Sequence, residues 1–215
     1  MRNSVKLFVV TASILLLAFS VAILFLEAKP VSEDTIRVAC VGDSITRDTE
    51  YPEILSTMLG ANYTVKNFGV GRTTVSLEFN KPYMKQPAFY AAQNFNPDIV
   101  VIMLGTNDGY LSQQQRSNFT DDYTTLISSF QVLPSSPQIH IVIPPPVFNN
   151  TMGLPAAVID DEVVPLVNQT AIGLELPTIN IYTPLLDKPE NFEDGVHPNL
   201  LGSQVIASEI CNAIS

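Results

Sequence analysis

Val38-Ala39-Cys40-Val41-Gly42-Asp43-Ser44-Ile45-Thr46 begins as a short aliphatic run and closes on Gly and a turn-favouring Asp. This is the pattern of a strand buried in a parallel sheet. Two more stretches have the same form. Tyr63 to Phe68 runs into Gly69-Val70-Gly71-Arg72-Thr73, and Ile99 to Leu104 runs into Gly105-Thr106-Asn107-Asp108. Ser44 is therefore expected at the carboxyl end of the first strand, where open α/β sheets hold their ligands. The two later loops are expected at the same edge.

Outward from these strands, the chain alternates in type. The first strand is expected over about Ile36 to Val41, followed by a helix at Tyr51 to Leu59 that Gly60 ends. Thr73 to Asn96, with Pro82 and Pro87 and the aromatic residues Tyr83, Phe89 and Tyr90, reads as a long irregular stretch that either borders a cleft or packs. A helix is expected near Asp121 to Leu133, and then a strand at Gln138 to Ile143, stopped by Pro144-Pro145-Pro146. His140 falls in mid-strand and reads as structural. A helix from Ala156 to Gly173, bent at Pro165, leads to a fifth strand at Thr178 to Tyr182 and a last helix with apolar positions at Leu201, Val205, Ile206 and Ile210. Pro198 suits the first position of that helix. Alternating strands and helices without repeats predict a parallel α/β sheet covered on both faces.

A serine at a sheet edge becomes chemically informative if a base and an oxyanion site accompany it. Asp194-Gly195-Val196-His197-Pro198 contains one of only two histidines, three residues after a carboxylate. At that spacing in a turn the carboxylate can bind Nδ1–H and leave Nε2 to take a proton from a hydroxyl. The bland alternative is that His197 only caps the helix behind it. Asn107 can supply a side-chain N–H to an acyl-transfer oxyanion, and its own alternative is a bond to the backbone of its turn. The Gly69–Thr73 loop can offer a backbone N–H to the same oxyanion.

In these blocks the chain resembles the SGNH (GDSL-type) hydrolases, whose four sequence blocks occur here in order over roughly residues 35–213. The resemblance implies a three-layer α/β/α, flavodoxin-like fold with a five-stranded parallel sheet in the order 2-1-3-4-5. It implies Ser44 as nucleophile and first oxyanion donor, Gly71 and Asn107 as further donors, and His197 as general base oriented by Asp194. The segments 65–70, 102–108 and 194–199 resemble a sialate O-acetylesterase-like or carbohydrate-esterase-like branch. That implies a serine esterase removing O-acetyl groups from carbohydrate, without a cofactor. The loop before Gly71 is one residue shorter than is common in that branch, which leaves Gly69 as the alternative donor. A lipid esterase or lysophospholipase-like acylhydrolase is a second expectation, and a catalytically inactive carbohydrate-binding domain a third. The Gly-x-Ser-x-Gly elbow of ordinary α/β-hydrolases is absent around Ser44.

The rest of the sequence sets limits. The 215 residues suffice for one domain with a sizeable core. Arg2 and Lys6 precede an apolar run from Leu7 to Leu26, broken only by Thr11, Ser13 and Ser20. A signal-anchor or signal peptide is expected over residues 1–28, spanning a membrane at about 7–26, with a linker at 29–35 and the hydrolase domain at 36–215. The charges flanking the run put the domain in the lumen or outside, on the secretory route. Sequons at Asn62, Asn118, Asn149 and Asn168 agree with a glycoprotein. Net charge is −10. The first thirty residues hold three cations and one anion, so the remainder carries −12. That argues against nucleic acid and highly anionic partners and suits a small acylated substrate. Two histidines and two distant cysteines, Cys40 and Cys211, offer no metal cluster, and no phosphate loop is present. Asp160, Asp161 and Glu162 read as a solvated helix face, and both thiols as free.

Overall fold

The computed structural model describes residues 35–215. The membrane-spanning expectation for residues 7–26 and nearly all of the linker lie outside the described residues. Among the described residues no helix is long and apolar enough to cross a membrane.

Five strands form one parallel sheet: β1 (Ile36–Gly42), β2 (Tyr63–Asn67), β3 (Ile99–Met103), β4 (Gln138–Ile143) and β5 (Thr178–Asn180). Their order is β2-β1-β3-β4-β5, with Val38 in register with both Val65 and Ile99. This is the expected flavodoxin-like order. The strand period of two sorts the side chains into two cores. From β3, Val100 and Ile102 enter one core, while Ile99, Val101 and Met103 enter the other. Both faces are apolar because both are covered, giving three layers.

The helices are α1 (Ser44–Asp48), α2 (Tyr51–Leu59), α3 (Pro87–Asn94), α4 (Phe119–Gln131), α5 (Ala156–Val158), α6 (Val164–Gly173), α7 (Tyr182–Leu185) and α8 (Leu200–Ile214). Helix α4 buries Phe119, Tyr123, Leu126, Ile127 and Phe130, an i, i+4, i+7, i+8, i+11 stripe, against the first core. On the other face α8 buries Ile206, Ala207, Ile210 and Ile214 beside Tyr51 and Leu55 of α2. Asn199 caps α8, accepting from the N–H groups of Leu201 (3.0 Å) and Gly202 (3.2 Å). Such a cap contributes about 1 kcal/mol.

Several expectations need correction. The stretch 73–96 is not irregular throughout, because Tyr83–Lys85 forms a 3₁₀ turn and Pro87 starts α3. Proline is at home in the first turn of a helix, where its missing N–H costs nothing. Pro198 is not the first helical residue, since the Asn199 side chain caps and the helix starts after it. Strand β5 ends at Asn180, two residues early. The bend near Pro165 is a π-helical turn over Ile159–Val163, directly before α6. The acidic cluster in that turn is only partly solvated. Asp160 accepts from the Tyr182 hydroxyl at 2.8 Å, and Glu162 pairs with buried Arg116. Cys40 is buried and Cys211 half-buried, both as free thiols. Burial pushes the Cys40 thiol up to about 12.

Candidate active site

Ser44 stands where β1 gives way to α1. Gly42 makes this turn possible, because a Cβ there would lie 2.7 Å from the Met103 carbonyl oxygen and would also strike the Thr46 hydroxyl. Asp43 then serves as N-cap of α1, its Oδ1 accepting the Ile45 N–H at 2.9 Å. The serine is left at the first helical position. There its backbone N–H has no acceptor among the described residues, as expected for a first-turn N–H.

The second half of the site comes from the loop before α8. Asp194 Oδ1 accepts the backbone N–H groups of Val196 (3.0 Å) and His197 (2.8 Å), and its Oδ2 lies 2.8 Å from His197 Nδ1. The other ring nitrogen, Nε2, lies 2.9 Å from Ser44 Oγ. Partial burial works to raise the Asp194 carboxyl, but the ring and backbone donors of His197 and Val196 prevail and hold it below the ordinary value. An ionised carboxylate bonded to Nδ1 fixes the proton on that nitrogen and leaves Nε2 as the acceptor for the serine hydroxyl.

Asn107 lies in a 3₁₀ turn, Thr106–Tyr110, at the end of β3. It does not bond its own turn. Its Nδ2 donates to Asp43 Oδ2 (3.2 Å) and to the Thr73 carbonyl (3.1 Å). Two acceptors fix the amide's orientation, and both of its protons are engaged. Asn107 is thus not a free donor in this state. To serve an oxyanion its amide would have to release one of these two partners.

The two glycines of the loop after β2 differ in what their N–H groups bond. The Gly69 N–H is committed to Asn67 Oδ1 at 2.9 Å and the Val70 N–H to the Gly42 carbonyl at 2.9 Å. The Gly71 N–H has no acceptor among the described residues. Gly71 is also closely covered, since a Cβ there would sit 2.6 Å from the Arg47 guanidinium carbon. Lys81 Nζ donates to the Gly71 carbonyl at 2.7 Å. The loop is short but pinned from both sides.

Two carboxylates beyond the sequence expectation organise this edge. Burial raises Asp43 to about 6 against bonds from Ile45 and Asn107 and the nearby His197, and raises Asp108 to about 7. Asp108 receives the N–H groups of Ser76 (2.9 Å) and Val75 (3.0 Å), tying the stretch after the glycine loop to β3. Nothing in the pattern singled out either residue, because Asp beside Gly and Asn reads as ordinary turn chemistry. Their burial becomes visible only when three loops meet.

Ser44, Asn107 and His197 line one cleft of about 550 Å³, with Phe79, Tyr110 and Leu154 among its walls. The half-buried Phe79 bears out the reading that part of the 73–96 stretch borders a cleft, whereas Tyr83 and Phe89 pack in the core. Among the described residues no group of His, Cys, Asp and Glu side chains could hold a metal ion. His140 is buried with neither ring nitrogen bonded, and burial lowers its pKa, which keeps it neutral and structural.

The sheet order defines a class, the hydrolases of flavodoxin-like fold, and its carboxyl edge brings a Ser, a His and an Asp together. The chain belongs to the GDSL-like lipase/acylhydrolase family, which matches residues 40–205. It is 34% identical over 209 residues to an acetylxylan esterase of Xylanibacter ruminicola, an alignment covering 85% of this chain and 44% of that protein. The chain thus spans less than half the length of that relative. In fold it is similar to a crystal structure of an acetyl xylan esterase (TM-score 0.67, 19% identity, covering 84% of this chain and 100% of that one). It is equally similar to a lipase/acylhydrolase of Enterococcus faecalis (TM-score 0.67, 21% identity, covering 83% and 94%).

Proposed function

We propose that the protein is a serine esterase that removes small acyl groups, acetate above all, from carbohydrate. The observation that carries this reading is the relay Ser44 Oγ to His197 Nε2 at 2.9 Å and His197 Nδ1 to Asp194 Oδ2 at 2.8 Å, opening on a cleft. In this reading Ser44 Oγ attacks the ester carbonyl carbon as its proton passes to Nε2. The resulting oxyanion is met by the N–H groups of Ser44 and Gly71 and by the Asn107 amide. As the intermediate collapses, Nε2 gives its proton to the leaving alcohol oxygen, and the acyl group stays on Ser44. A water then loses a proton to Nε2 and attacks the acyl carbon. Collapse releases the acid and returns the proton to Ser44.

The acetyl-carbohydrate preference is supported by the sequence likeness to the acetylxylan esterase and by the motif resemblance at 65–70, 102–108 and 194–199. The resemblance to sialate O-acetylesterase-like proteins rests on those segments alone. A lipid-ester reading draws on the apolar walls at Phe79, Met152 and Leu154. The apolar run at 7–26 supports placement on the secretory route, anchored in or released from a membrane, and fractionation of cells expressing the full chain tests this.

Acetate release from acetylated xylan and turnover of 4-nitrophenyl acetate, butyrate and palmitate by the full chain and by Ser44→Ala test the activity. Ser44-dependent turnover with acetate preferred is the expected result. No Ser44-dependent hydrolysis of any ester would leave only a binding role, and a palmitate preference would favour the lipid reading.

A further inference from the structure

Arg72 follows Gly71 directly and lines the cleft that holds Ser44. Its backbone sits at φ 65, the left-handed region that a residue with a side chain enters only at a cost. Each of the other three arginines among the described residues has a carboxylate partner: Arg37 has Asp98, Arg47 has Asp48 and Arg116 has Glu162. The Arg72 guanidinium has no hydrogen-bond or ion-pair partner among the described residues. The carboxylates near it are already taken. Asp48, which also lines the cleft, is held by Arg47, and Asp194 is held by the His197 ring. Tyr110 is a close neighbour, its phenol raised by burial and pulled the other way by the Arg72 charge. The nucleophile's cleft therefore presents one unpaired cation beside an exposed aromatic ring, in a chain whose net charge is −10.

Resting on the esterase reading above, we propose that Arg72 is the specificity residue for a carboxylate on the substrate, an acylated saccharide bearing a uronic acid unit near the ester. A guanidinium presents paired donors that match a planar carboxylate, and an aromatic wall suits a sugar ring. The acidic surface does not oppose this. Beyond a Debye length of about 8–10 Å its repulsion is screened, so a single carboxylate on a neutral glycan responds mainly to the local cation. A polyanion or a phosphate dianion would feel Asp48 and Asp194 more strongly, which favours the monoanionic group. The likeness of backbone conformation between φ 65 and a glycine turn indicates that Arg72 is present for its side chain, since glycine would hold the turn without strain.

The test uses the full chain and a matched pair of substrates: an acetylated xylo-oligosaccharide carrying one glucuronic acid, and the same oligosaccharide with that carboxyl reduced to the alcohol. The native enzyme is expected to prefer the acidic substrate about ten- to hundredfold in kcat/KM, mostly through KM, and less so at high salt. In Arg72→Gln the ratio between the two substrates falls to about one. Arg72→Gly gives the same collapse while relieving the backbone, so a folding defect cannot imitate it. Equal native rates on both substrates, or a preference that survives in both variants, overturns the proposal. Failure of Ser44-dependent acetate release from either substrate overturns instead the esterase reading on which it rests.

Discussion

Two aspartates reach the same serine from opposite environments. Asp43 precedes Ser44, is buried, and is raised to about 6 by that burial. Asp194 is partly exposed, and its donors hold it below the ordinary carboxylate value. Asp43 bonds the N–H of Ile45 and the amide of Asn107, and none of its hydrogen bonds goes to the His197 ring. Asp194 bonds the ring that faces the serine. The contrast shows that proximity to a nucleophile does not assign a role. The role proposed for Asp194, stabilising a transient imidazolium, requires a charged carboxylate, and its three donors favour the charged form. Asp43 is a structural hub that ties the start of α1 to the Asn107 turn.

Substitutions can break this contrast. Asp194→Asn is expected to lower kcat by about 10⁴-fold, by favouring the wrong ring tautomer, with little change in melting temperature. A large loss of stability with kcat retained would exchange the two roles. Asn107→Ala should lower kcat by about 10²- to 10³-fold at nearly constant KM for 4-nitrophenyl acetate, the signature of a group that acts on the transition state. Asp43→Ala removes an N-cap and leaves an Asn107 proton unpartnered. We expect about 2–4 kcal/mol of lost stability in urea titrations, with a milder kcat loss, about ten- to hundredfold.

The smallest effect sharpens the comparison through pH. Asp43 and Asp108 are raised in the folded state, to about 6 and about 7, so the stability they contribute is full below pH 4 and lost as pH rises through those values. Asp48, Asp98 and Asp194 are lowered, and their contribution is present above pH 4 and lost as pH falls further. The melting temperature should therefore be highest near pH 4–5 and decline by several degrees towards pH 8. In Asp43→Asn the lower half of that decline should flatten. A melting temperature that rises steadily from pH 5 to 8 would refute the burial argument for both carboxylates.

Much of this was legible in the chain, for identifiable reasons. Buried parallel strands write themselves as aliphatic runs stopped by glycine, so Gln138–Ile143 was readable to the residue and β1 and β3 to within one residue. The Asp194 and His197 pair was readable because it is local. Pro87 misled, since one residue type both breaks and begins helices, and the choice depends on how Phe89 and Ala92 pack. The commitment of Asn107 to Asp43 and Thr73 was not readable at all, because it joins three loops separated by 64 and 34 residues. Which of the two glycine N–H groups is taken within the loop had the same obstacle, for it turns on the Asn67 side chain accepting the Gly69 N–H.

The reach from Ser44 to His197 spans 153 residues, whereas that from Asp194 to His197 spans three. The acid–base pair can preassemble as a local turn, but it meets its serine only once α8, which starts just beyond Asn199, has docked beside α2. In the proposed relay, Ser44 is made early in synthesis and has its base in place only when the last helix has docked. A chain cut short before α8 would keep Asp194 and His197 but lose the helix that docks beside α2, and with it the packing that brings the ring to Ser44.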